Sequence, residues 1–120
     1  MINSTAGLYN ITCEQGATFK RTMTWTDPAK NPRNLTGYTA RMQVRPAVDS
    51  NVVILSLTTE NSRISIDGPA GTVNLNVDDG TTNNLAAGLY VYDLEIISGD
   101  SSEVTRLVEG NFLVKAGVTR

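Results

Sequence analysis

Histidine is absent from this chain of 120 residues, and cysteine occurs once, at Cys13. Each absence removes a class of chemistry. Serine and cysteine nucleophiles need a base beside them, most often histidine. Lysine or a terminal amine is left for that part, and no spacing points to either. Zinc sites built from Cys and His lack their ligands. One cysteine makes no internal disulfide, so this is not a disulfide scaffold, and Cys13 reads as a small buried hydrophobe or as a reactive thiol. The glycine-rich phosphate loop ending in Lys-Ser/Thr is missing. Charge is sparse at 18% of residues, and the net charge is -2. The basic residues are scattered, which argues against nucleic acid as a partner. No apolar run approaches the roughly 20 residues of a membrane helix, and Met1–Gly7 lacks the basic start and apolar stretch of a signal peptide. The expectation is a soluble protein made in a cytoplasm, without a membrane partner. The sequons at Asn3, Asn10 and Asn34 are then chance features of a chain rich in Asn and Thr.

What the chain does have is 40% hydrophobic residues arranged with a period of two, the signature of strands. Tyr9, Ile11 and Cys13 alternate with polar neighbours. Phe19, Arg21, Met23 and Trp25 share one face, with Lys20, Thr22, Thr24 and Thr26 opposite. Arg21 conflicts with that face unless its stem packs near a strand end and its head reaches water. The stretch 27–36, with two prolines, reads as a loop. In 37–45, Tyr38, Ala40, Met42 and Val44 point inward, and Pro46 stops the strand. Val52–Leu57 is apolar almost throughout, which predicts cover on both faces. A short strand over 63–66 ends at Asp67-Gly68-Pro69, and Val73, Leu75 and Val77 alternate inward. One short helical turn is predicted near 79–86, capped by Asp79 or Thr81. Tyr90, Tyr92, Leu94 and Ile96 share a face of a long strand, and Gly99-Asp100 turns the chain. In the returning strand Val104, Arg106, Val108, Phe112 and Val114 fall in one register, and Gly110 marks a bulge or a close backbone approach. About eight short strands without intervening helices make an all-β sandwich or barrel, in one domain over 1–120.

Leu85-x-x-Gly88-x-Tyr90 has the spacing of a tyrosine corner. In that device a tyrosine near a strand start bonds back to backbone a few residues upstream. The leucine anchors the connection, the glycine permits the turn, and the hydroxyl satisfies a loop carbonyl. This narrows the fold to an immunoglobulin-like Greek-key β-sandwich. Carboxylates remain the only reagents. Asp78 and Asp79 precede the helical turn, but a calcium site needs several more oxygens. Asp93 and Glu95, two apart on a strand face, meet cross-strand cations sooner than they form an acid–base pair, with Arg41, Arg45 or Arg106 as partners. Trp25 either fills the inter-sheet core or rests at a rim where partners bind. No cofactor or metal is implied, and the chain is not expected to be an enzyme.

Several runs, in order, resemble a recurrent structural domain of tailed bacteriophages. They are Gln15–Phe19, Leu35–Arg45, Leu57–Thr59, Ala87–Glu95, Arg106–Gly110 and Val118–Arg120. The pattern is similar to the N-terminal domain of phage baseplate upper proteins and to small virion proteins of siphophages, myophages and podophages. The resemblance implies an immunoglobulin-like sandwich in a virion, present in several copies, with other virion proteins and copies of itself in a symmetric assembly as partners. It leaves the location open. A tail, collar or baseplate adaptor comes first, capsid decoration or cement on the head second, and a carbohydrate- or receptor-binding module third. In baseplate upper proteins this domain precedes a stem carrying the receptor-binding protein. The chain stops at Arg120, so the expectation is against direct receptor binding. Extended arms over 1–8 and 115–120 are predicted to add strands to neighbours. Candidate interface residues are Met1, Ile2 and Leu8 in the first arm, Val118 and Arg120 in the second, and Lys30 and Arg33 in the loop from Asp27 to Asn34.

Overall fold

A computed structural model describes residues 7–118. Among them, nine strands and one short helix follow in order. They are β1 (Gly7–Leu8), β2 (Ile11–Glu14), β3 (Phe19–Thr24), β4 (Thr39–Arg45), β5 (Leu55–Thr58), β6 (Ile64–Asp67), β7 (Thr72–Val77), α1 (Asp79–Asn83), β8 (Gly88–Ile97) and β9 (Val104–Lys115). The period-two pattern sets most of these. In β4, Ala40, Met42 and Val44 are buried while Arg41 and Gln43 are exposed, as a strand with one face on a core requires. No helix among the described residues is long and apolar enough to cross a membrane.

The strands form two sheets. The larger has the order β1-β9-β8-β4-β5, with β2 following β1 along the same side of β9; the smaller has the order β3-β7-β6. The chain crosses between sheets at β2→β3, β3→β4, β5→β6 and β7→β8. The two sheets pack face to face as an all-β sandwich. Leu57, Met42, Leu94 and Phe112 from one sheet meet Phe19, Ile64, Leu75 and Val77 from the other in a single buried cluster. Phe112 lies at its centre, with ring centroids 5.8 Å from Phe19 and 6.3 Å from Tyr92. Cys13 is fully buried beside them, and burial pushes its thiol pKa up.

β1 and β2 both run parallel to β9, and the connection between them crosses Gly110. Glycine is required there by a close approach, since a Cβ would lie 2.5 Å from the Tyr9 carbonyl oxygen and 2.8 Å from Asn10 Oδ1. The bulge is elsewhere. Leu94 pairs with Val108 and Glu95 with Arg106, leaving Leu107 as the extra residue of β9. An added residue inverts the inside–outside alternation. Leu107 and Val108 therefore both pack against the core, while Val104 and Arg106 are exposed. This corrects the single register expected for Val104, Arg106 and Val108, and it relieves the cost of burying Arg106.

Val52–Leu57 also differs from expectation. Pairing with β4 begins only at Leu55, and Val52 and Val53 stay exposed in the connection. The connection is shaped by polar bonds instead. Arg45 Nη1 donates to the Ser50 carbonyl at 2.6 Å, and the Val52 amide donates to Ser50 Oγ at 3.1 Å. The helical turn spans only Asp79–Asn83. Its buried Thr82 donates from Oγ1 to the Ala17 carbonyl at 2.8 Å and accepts from the Gly16 amide at 3.1 Å, tying the turn to the β2–β3 connection.

Candidate interaction surface

Gly88 opens β8, so Tyr90 stands at the start of the long strand, after the connection anchored by buried Leu85. The Tyr90 hydroxyl donates to the Ala86 carbonyl at 2.7 Å. Two residues on, the Tyr92 hydroxyl donates to the Tyr9 carbonyl. The ring of Tyr92 is buried and raises its own pKa by desolvation. The two tyrosines thus pin two different segments, one the β7–β8 connection and the other the β1–β2 crossing.

The outer face of the larger sheet divides into a charged and an apolar part. The charged part lies across β4, β8 and β9. Arg41 Nε is 3.0 Å from Glu95 Oε1, Arg106 Nε is 3.3 Å from Asp93 Oδ2, and Arg106 Nη1 is 3.6 Å from Glu109 Oε1. Arg41 and Glu95 are direct cross-strand neighbours, whereas the bulge aims Arg106 at Asp93. Arg45 makes no such pair and bonds to Ser50 and to Gln43 Oε1 instead. Pairs this exposed each contribute about 0–1 kcal/mol, so they set the character of the face more than its stability. Burial raises the Asp93 pKa, and this outweighs the opposite pull of Arg106. Arg41, Gln43, Asp93 and Glu95 border an open depression of about 330 Å³.

The apolar part lies toward the β8 start. Leu89 and Leu113 are cross-strand partners on β8 and β9, 63% and 39% exposed. Beside them Leu8 on β1 and Val48 in the β4–β5 connection, 78% and 86% exposed, wall a groove of about 230 Å³ over Val91 and Gly110. Scattered apolar residues are ordinary on a surface; here Val91, two residues after Leu89 on the same face of β8, joins the leucine pair to the groove. Leu8 was legible in the sequence as an arm residue. Val48, Leu89, Val91 and Leu113 were not singled out. Their signal was present in β8, whose outward face carries Leu89, Val91 and Ile97 beside Asp93 and Glu95 and so is not the polar face that alternation predicts.

Lys30 and Arg33 lie at the end of the sandwich where β3 finishes and β4 begins. Asp27 Oδ1 accepts the amides of Ala29 and Asn31, both at 2.9 Å, and Thr26 bridges Pro32. The loop is thus a closed hairpin. Arg33 lies over the half-buried Trp25 ring, 4.6 Å from its centroid, which places Trp25 at a rim of the core rather than at its centre. Val118 is exposed beyond β9, toward the opposite end. Lys30 and Arg33 on one side and Val118 on the other therefore share no surface. Met1, Ile2 and Arg120 lie outside the described residues. Of the arms predicted over 1–8 and 115–120, Gly7–Leu8 forms β1 and Lys115 is the last residue of β9.

Among the described residues, no group of three or more His, Cys, Asp or Glu side chains is placed to hold a metal ion. The chain matches no protein-family model and no curated protein sequence.

Proposed function

We propose that this chain is a non-enzymatic structural protein of a tailed-phage virion, an adaptor of the tail, collar or baseplate that joins neighbouring proteins. The observation that carries the contact role is the apolar group Leu8, Val48, Leu89 and Leu113 on the outer face of the larger sheet, exposed and bordered by ion pairs. A sandwich of this kind already has a complete core, so this second apolar surface is not needed for folding. The virion setting is supported by the resemblance of Leu35–Arg45, Ala87–Glu95 and Arg106–Gly110 to phage structural domains. Those runs fall largely on β4, β8 and β9, the strands that build this face.

The test is quantitative mass spectrometry of purified virions from cells that produce the protein. The expected result is the chain in a small, fixed number of copies. Hundreds of copies assign it to the head as decoration instead. Absence from virions overturns the proposal.

A further inference from the structure

The outer face of the larger sheet carries four cations, Arg41, Arg45, Arg106 and Lys115, and four anions, Glu14, Asp93, Glu95 and Glu109. It is therefore neutral and of mixed sign, although the chain as a whole has a net charge of -2. A face of one sign repels its own copy; a mixed one can meet it with opposite charges in register. β8 is ten residues long, about 33 Å at ~3.3 Å per residue, and five strand positions spaced about 4.8 Å apart span about 19 Å. The sheet, β1 included, then offers about 600 Å², and the Val48 connection adds to it. A stable interface takes about 800 Å² from each partner. The area, the neutrality and the paired knob and groove on one surface all suit an isologous contact, in which each copy offers the same patch.

We propose that the occupant of this face is a second copy of the same chain, related by a two-fold axis, with the Val48 connection of each copy seated in the groove between Leu8 and Val91 of the other. This rests on the reading of the chain as an assembling structural protein, and it names the surface and the partner. Val48 is at the rim of its own fold and 86% exposed, so it adds nothing to the monomer's core and is free to fill another's groove. Leu89 and Leu113 flank the groove and lose their water contact in the same step.

Sedimentation velocity on the full chain, from about 1 µM to about 1 mM, reads the association directly. The wild type is expected to pass from monomer to dimer within that range. Val48→Asp should weaken the dimer about tenfold or more and leave unchanged the thermal midpoint read at about 1 µM, where both proteins are monomers. Leu89→Asp should do the same by a second route. Val118→Asp, also at an exposed apolar residue but off the face, should leave the dimer intact. A wild type that stays monomeric to about 1 mM overturns the inference, as does a dimer that tolerates both Val48→Asp and Leu89→Asp. A virion protein that stays monomeric contradicts only this contact. A dimer that is missing from virions contradicts only the adaptor reading.

Discussion

Tyr90 and Tyr92 are two residues apart on one strand and use their hydroxyls at different places, on the Ala86 and Tyr9 carbonyls. Removing the Tyr90 hydroxyl by Tyr90→Phe leaves the carbonyl of Ala86 without its donor while the ring still packs. The expected loss is about 1 kcal/mol, read by urea unfolding, and an unchanged midpoint would speak against the bond. Asp100 offers a test in pH. Its Oδ1 accepts from Ser102 Oγ at 2.6 Å, from the Ser102 amide at 3.0 Å and from Ser98 Oγ at 2.8 Å. Those bonds hold its pKa down at about 2, against an ordinary 3.8. A carboxylate whose pKa is lowered by folding stabilises the fold above its unfolded pKa, and that contribution fades as pH falls from about 4 to about 2. Asp93 works in the opposite sense, because burial raises its pKa and protonation there favours the folded state. The thermal midpoint of the wild type should therefore fall more steeply between pH 4 and 2 than that of Asp100→Asn. Parallel profiles would remove the role assigned to Asp100.

β9 is the element on which most of the architecture turns. It pairs with β8 along one side and takes both β1 and β2 on the other. Its two irregular features act at different points. The extra residue at Leu107 turns Arg106 out toward Asp93, and Gly110 lets the β1–β2 crossing lie flat against the strand. Gly110→Ala places a methyl 2.5 Å from the Tyr9 carbonyl oxygen, closer than any real contact. The crossing must move, and the Tyr92 hydroxyl loses its acceptor's position. Overpacking of this kind costs about 1–3 kcal/mol, and amide exchange at Tyr9 and Asn111, which bond across the crossing, should quicken. A variant as stable as wild type, with unchanged exchange, would mean that the crossing is loose.

At the scale of the whole molecule, strands were legible in the sequence wherever one face is buried and the other wet. Ala40, Met42 and Val44, or Val73, Leu75 and Val77, declare their faces by alternation alone. Alternation fails where it is interrupted. No local signal marks Leu107 as the extra residue, because the bulge is set by pairing with β8, a long-range fact. Val52 and Val53 read as core because hydrophobicity does not reveal where a hairpin's pairing starts. The charged part of the outer face was half legible: Arg41, Arg106, Asp93 and Glu95 stood out as cross-strand partners, but which cation meets which anion depends on register. The apolar part was hidden because its members come from four separate segments and only the sheet brings them together.

The central claim is that this face is the covered surface of a structural protein, and hydroxyl-radical footprinting tests it most directly. Oxidation rates are compared between the isolated chain at low concentration and the same chain within purified virions. The account predicts strong protection at Val48, Leu89 and Leu113, with Val52 and Val118 still reactive or protected less. Equal rates at Val48, Leu89 and Leu113 in both samples would contradict it.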